Sequence, residues 1–232
     1  MHKFKYLLAG FCFLSFSVVF AQENDKKERE QGHTNTNKFR QMYEEFATPN
    51  MYRTGSGAPG PAYYQQQADY KMDIELNDDT QKLTGHETIT YTNNSPDKLE
   101  FLWVQLDQNI RKKDAPALQK DGDGMAPVST AAGFANSYLQ EPFDGGFNIK
   151  EVSRNGSPLK YTIHQTMMRI DMAQPLKSGE SFTFDINWSY NVNNHVTNRA
   201  RSGYEFFDKD GNKAYVIAQF FPKMAVYNDV EG

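Results

Sequence analysis

The sequence predicts a mainly β protein: an antiparallel β-sandwich or saddle-like domain, preceded by one short helix. Three observations carry this. Several segments alternate apolar and polar side chains with the period of two that gives a strand one buried and one wet face. Clusters rich in Asn, Asp, Gly and Pro separate them at short intervals. Aromatic residues make up 14% of the chain, most of them Phe and Tyr, and such side chains suit a pleated surface.

Met1 to Ala21 has the build of a secretory signal, with Lys3 and Lys5 at its head, an apolar run from Tyr6 to Phe20 and a small-residue cleavage site at Val19-Phe20-Ala21. Phe11 separates Gly10 from Cys12, which breaks the lipoprotein pattern. Cleavage after Ala21 removes Cys12, the only cysteine, and leaves no disulfide or thiol chemistry. The expectation is an exported chain, periplasmic or extracellular, with no membrane span after cleavage. Gln22 to Asn37 is charged and polar and reads as a tether. From Lys38 to Ala47, Phe39, Met42, Tyr43 and Phe46 recur at helical spacing, and Thr48-Pro49-Asn50 stops that short helix. A Gly/Pro loop completes residues 38–62, and residues 63–232 form the β-domain.

Its first strand is read from Tyr70, Met72, Ile74 and Leu76, alternating with Lys71, Asp73 and Glu75, up to Asn77-Asp78-Asp79. The second carries Thr84, Thr88, Ile89, Thr90, Tyr91 and Thr92, with Gly85 marking a bulge or a close approach. Asn93 to Asp97 ends it. The third, Leu99 to Leu106, is apolar on both faces, as a strand covered on both sides would be. Trp103 and, further on, Trp188 are expected in the core. Residues 112–146 hold an insertion too long for an ordinary connection. Strands resume at Phe147, pass the Arg154-Asn155-Gly156-Ser157-Pro158 hairpin turn and continue through Leu159, Tyr161 and Ile163. Met167 to Met172 is a short strand, Pro175 to Glu180 a turn, and Ser181 to Tyr190 the best alternating strand. Tyr204–Phe207 and Ala214–Phe221 flank a turn at Asp208–Asn212.

Little chemistry is written into this pattern. With 25 basic and 29 acidic residues the net charge is -4, which gives no electrostatic footprint for nucleic acid. His86-Glu87 fails the zinc motif H-E-x-x-H because Thr90 stands where the second histidine belongs, and because the segment is a strand. His164 and His195 sit at strand ends or loops without ligand spacing. Asp121-Gly122-Asp123-Gly124 and Asp208 to Asn212 fail the calcium-loop spacing and read as turns. No catalytic residue and no metal ligand is assigned.

The stretch SGAPGPAYYQQQADYKMDIELNDDTQKLTGHETITYTNNSPDKLEFLWVQLDQN, Ser56 to Asn109, and AQFFPKMAVYNDVEG, Ala218 to Gly232, resemble the amino-terminal domain of M1 family zinc metallopeptidases, the aminopeptidase N and leukotriene A4 hydrolase group. The match looks closest to the secreted form of Bacteroidetes-like bacteria. The resemblance implies a non-catalytic β-domain that covers and shapes the active site of a following helical domain. In the family that second domain carries H-E-x-x-H, a further Glu ligand and G-x-M-E-N, none of which occurs in residues 1–232. Zinc is accordingly expected in the missing domain and no cofactor in this chain. The implied partners are the downstream catalytic domain and the amino terminus of a peptide substrate. Aligned on A-Q-F-F-P, the role of holding the substrate's amino group falls near Gln219 or on Phe221; a Phe side chain cannot perform it, so the resemblance assigns it to Gln219. The other class the residues allow is a stand-alone extracellular β-sandwich module binding protein or glycan.

Overall fold

The computed structural model describes residues 49–116, 128–135, 139, 143–197, 201–230 and 232. The expected signal, tether and short helix, and the Asp121–Gly124 turn, lie outside the described residues.

The described chain is mainly antiparallel β, as the alternation predicts. β1 (Gln67–Asn77) and β2 (Lys82–Thr92) form a hairpin in unbroken register from Gln67↔Thr92 to Asn77↔Lys82. At its turn the Asn77 side-chain oxygen accepts from the Thr80 backbone amide and hydroxyl, at 2.9 and 2.8 Å. β3 (Leu99–Gln105) moves to a second sheet and ends in a single 3-10 turn, Asp107–Arg111. β4 (Asn148–Arg154) returns to the first sheet. Asn155 and Gly156, at φ 50° and 76°, turn it into the short β5 (Ser157–Pro158) with the doubly left-handed backbone that tight hairpins favour. β6 (Tyr161–His164) and β7 (Met167–Leu176) lie in the second sheet, and β8 (Ser181–Asn191) goes back to the first.

The resulting order is β1-β2-β8-β4-β5 in the larger sheet. The smaller one reads β11-β3-β7-β6, with β11 at Lys223–Met224. β9 (Gly203–Phe207) and β10 (Asn212–Val216) form a separate hairpin. Inward side chains of both large sheets make one core. Leu83, Ile89 and Tyr91 come from β2, Phe182, Phe184, Ile186 and Trp188 from β8, Leu102 and Val104 from β3, and Met168 and Ile170 from β7.

Gly85 marks a close approach, and the register shows no bulge there. A Cβ at this position would sit 2.2 Å from the Trp188 ring, so the missing side chain is what lets the indole lie across β2. The insertion is a closed excursion at its stem, where the Gly145 amide donates to the Arg111 carbonyl at 2.9 Å. Within it, Ala131–Phe134 makes one helical turn, capped by Thr130, whose Oγ1 accepts from the Gly133 amide.

Four expectations need correction. Trp103 is 37% exposed on the outer face of β3, because no layer of the described chain covers that side of the smaller sheet. Ile74 and Leu76 are 42% and 37% exposed, because β1 is an edge strand that outruns its cover. β7 continues four residues past Met172, through Pro175 to Leu176, with a register shift against β3 between Leu99 and Phe101. β10 stops at Val216, and residues 217–221 leave the hairpin to reach β11.

Candidate functional site

The two stretches that carry the family resemblance are far apart in sequence and meet at one side of the sandwich. Arg53, just ahead of the first stretch, holds Asp229 of the second through two bonds, Nε to Oδ2 at 2.6 Å and Nη2 to Oδ1 at 2.8 Å. Asp229 is buried and Arg53 is about one-third exposed. The guanidinium also stands 5.0 Å from the Tyr63 ring centroid. Its hydrogen bonds hold the Asp229 carboxyl below the ordinary carboxylate range.

From the other end, the Met224 amide donates to the Tyr70 hydroxyl at 2.8 Å. This links the outer strands of the two sheets, and the Tyr70 ring meets Phe221 edge-on at 5.4 Å. Tyr227 donates to Asp97 at 2.6 Å. Burial raises the phenols of Tyr64 and Tyr227 above their ordinary value, and in Tyr227 the bond to Asp97 adds to it.

Between these groups runs a groove of about 410 Å³, whose walls include Arg53, Tyr63, Gln66, Tyr70, Val226 and Tyr227. Its chemistry is phenol, carboxamide and apolar surface. The single guanidinium is neutralised by Asp229. The lining carries no Ser, Cys, His or carboxylate side chain.

A second tie is made by side-chain amides. Gln108 and Asn109 are buried, and their amides join four separate segments. Gln108 Nε2 donates to the Ala218 and Gln219 carbonyls at 2.9 and 3.1 Å. Asn109 Nδ2 donates to the Gln165 carbonyl at 2.8 Å, while its Oδ1 accepts from the Phe147 amide at 2.9 Å. Gln219 therefore sits in a bend held by its carbonyl, with φ 52° and its side chain exposed.

The histidines do not converge. His86 lies on the outward face of the larger sheet, with Nδ1 2.8 Å from Asn187 Oδ1. His164 ends β6 in the other sheet, and His195 lies in a turn with Nε2 3.3 Å from Glu205. Among the described residues no three His, Cys, Asp or Glu side chains gather as a metal-binding group, so these residues do not fit a zinc centre.

Sequence reasoning missed Glu87. It occupies a core-facing position of β2, between Gly85 and Ile89, with 0% exposure and neither carboxyl oxygen hydrogen-bonded. Burial pushes its carboxyl up to about 9, which keeps it protonated at neutral pH. Trp188 Nε1 and the Tyr190 hydroxyl, on the adjacent β8, are also buried without a hydrogen-bond partner. A glutamate in the row Leu83, Gly85, Glu87, Ile89, Tyr91 is visible from the period of two alone.

The class this architecture defines is an antiparallel β-sandwich with a lateral groove. No family model and no curated protein matches the sequence. Among solved structures, the chain is similar to the M1 zinc metallopeptidase from Deinococcus radiodurans, at 11% identity and a TM-score of 0.36 over 63% of this chain and 25% of that one. It is also similar to a mutant of an M1 zinc metallopeptidase from the same organism bound to a Tyr-Ser-Ala substrate, at 11% identity and 0.36 over 61% and 24%. A third is a two-domain M1 zinc metallopeptidase mutant bound to L-tryptophan, at 11% and 0.37 over 64% and 26%. The chain spans about a quarter of the length of each.

Proposed function

We propose that this chain is the amino-terminal β-domain of an exported M1-type zinc metallopeptidase, non-catalytic in itself, which covers and shapes the active site of an H-E-x-x-H domain encoded elsewhere. One observation carries the reading. The segments that resemble the family, residues 56–109 and 218–232, are separated by more than a hundred positions, yet β11 pairs with β3 and Met224 binds Tyr70. The two stretches thus touch each other in the fold. The domain's contribution in this reading is orientation and exclusion of water at a neighbouring site. Gln219, exposed on a bend whose backbone Gln108 fixes, is the proposed contact for the substrate's amino group. Zinc belongs to the second domain.

The test is metal content and aminoacyl-nitroanilide hydrolysis, measured on the 232-residue chain alone and on the product of any longer reading frame. Inertness of the chain, with turnover once an H-E-x-x-H domain is attached, supports the proposal. Stoichiometric zinc and turnover in the chain alone would overturn it, and so would a stop codon directly after Gly232.

A second reading, an extracellular binding module, is favoured by Trp103. Its exposed indole meets Phe101 edge-on at 6.0 Å, and the Arg169 guanidinium lies 4.1 Å above the Phe101 ring. A glycan array against the wild-type chain and Trp103→Ala distinguishes it. Loss of a wild-type glycan signal in the variant favours the module.

A further inference from the structure

We propose that the open edge of β1 is a docking edge for an extended segment of another polypeptide, one that alternates apolar with basic residues and adds a strand beside β1. Among the described residues β1 pairs only with β2 and stands last in its sheet. Its 11 residues contain no proline, and their register contains no bulge. Two devices by which proteins blunt a sheet edge are therefore missing. Among the described residues no strand pairs with the main-chain groups on the other side of β1, the template that strand addition uses.

Side chains define what fits. On the inward face, Tyr70 and Met72 are partly buried, whereas Ile74 and Leu76 stay exposed although they continue the same row. A strand laid against β1 with apolar residues on that face would extend the cover over both. On the outward face stand Gln67, Asp69, Lys71, Asp73 and Glu75, three acids and one base. Across the ladder on β2 these residues meet Thr92, Thr90, Thr88, His86 and Thr84, which supply no compensating lysine or arginine. Opposite charges facing each other across strands are favourable and like charges are not, so the outward residues of the partner are basic.

The docking stretch is bounded at both ends. Tyr215 and Lys213 of the β9–β10 hairpin hold Asp78 at 2.6 and 3.3 Å, and the Met224 amide closes on Tyr70. A second copy of this chain is a poorer occupant. Antiparallel pairing of the open stretch, Lys71 to Asn77, with its own copy sets Asp73 against Glu75 twice at full overlap, and Asp73 against Asp73 when Lys71 faces Glu75.

The experiment uses the full chain, isotopically labelled, and three capped heptapeptides: alternating Lys-Val, alternating Glu-Val, and Lys-Val with N-methyl groups on alternate residues. The expected result is amide shifts centred on Lys71–Asn77 with slowed exchange of alternate β1 amides, and binding about fivefold tighter for Lys-Val than for Glu-Val. The N-methylated peptide, which cannot complete the ladder, should not bind. Replacing Asp73 and Glu75 together by lysine should reverse the preference, and Ile74→Thr, a milder change at an exposed position, should weaken Lys-Val binding about threefold. Equal binding of the two charge types, retained binding of the N-methylated peptide, or shifts confined to other strands would overturn the proposal. So would edge amides of β1 already protected before peptide is added, whether in a monomer or in a concentration-dependent dimer.

Discussion

Strands β1 and β8 have the same alternation in sequence and opposite fates in the structure. In β8, Phe182, Phe184, Ile186 and Trp188 are all buried, because β2 and β4 flank the strand and the second sheet covers it. In β1, Tyr70 to Leu76 start partly buried and end exposed, because the strand has one neighbour and runs past the cover. A period of two fixes which side chains share a face. Position in the sheet decides whether that face is dry. The same lesson separates the two tryptophans, Trp188 at 0% and Trp103 at 37% exposure.

The largest expected effect lies at the centre of that contrast. Trp188→Ala removes a fully buried ring packed against Phe147 and stacked on Tyr190, and should cost about 3–5 kcal/mol in denaturant unfolding. Trp103→Ala, at a side chain about one-third exposed, should cost about 1 kcal/mol. Gly85→Ala should cost roughly 1–3 kcal/mol by forcing the indole off β2. Comparable losses at the two tryptophans would mean that the outer face of β3 is covered in solution.

The next effect depends on pH. In the unfolded chain the Glu87 carboxyl ionises near its ordinary 4.5, and in the folded core near 9. Between those values the unfolded state releases a proton that the folded state keeps. Stability is therefore whole below about 4.5, falls by roughly 1.4 kcal/mol per pH unit above it, and levels off once the folded group ionises. Glu87→Gln removes this dependence. The variant should match wild type near pH 4.5 and exceed it by about 3 kcal/mol at pH 7. A gap that does not widen with pH would mean that the carboxylate has a partner in solution.

Asp229 has the opposite sign. Its folded value is depressed by Arg53, so its contribution is present above the ordinary carboxylate range and lost as pH falls through the folded value. Asp229→Asn should cost about 1–2 kcal/mol near neutrality, since Arg53 is partly exposed, and should differ little from wild type in strong acid. Thermal unfolding followed from neutrality down into strong acid checks both halves.

Most of the strands were legible because each is a local signal. The Asn155-Gly156 turn and the alternation of β8 need no distant residue to be read. The groove was not legible, because Arg53 and Asp229 lie 176 positions apart and no local pattern marks either as the other's partner. Glu87 was within reach. Its neighbours Ile89 and Tyr91 fix the inward face of β2, and a carboxylate in that row breaks the rule that buried charge is paired. Trp103 misled because an apolar run signals cover on both faces, whereas β3 has its second sheet on one face alone.

The smallest expected change tests the edge itself. Ile74→Thr replaces a side chain already 42% exposed by a β-branched one that keeps strand preference, so unfolding free energy should move by no more than about 0.5 kcal/mol. Phe184→Ala, on β8 two strands further in and fully buried, should lose about 3–5 kcal/mol. If Ile74→Thr costs as much as a core truncation, something already covers β1, and its edge is no longer available to a partner strand. If the cost is negligible, the exposed isoleucine contributes little to folding, which leaves the apolar row beyond Met72 to be accounted for by what docks there.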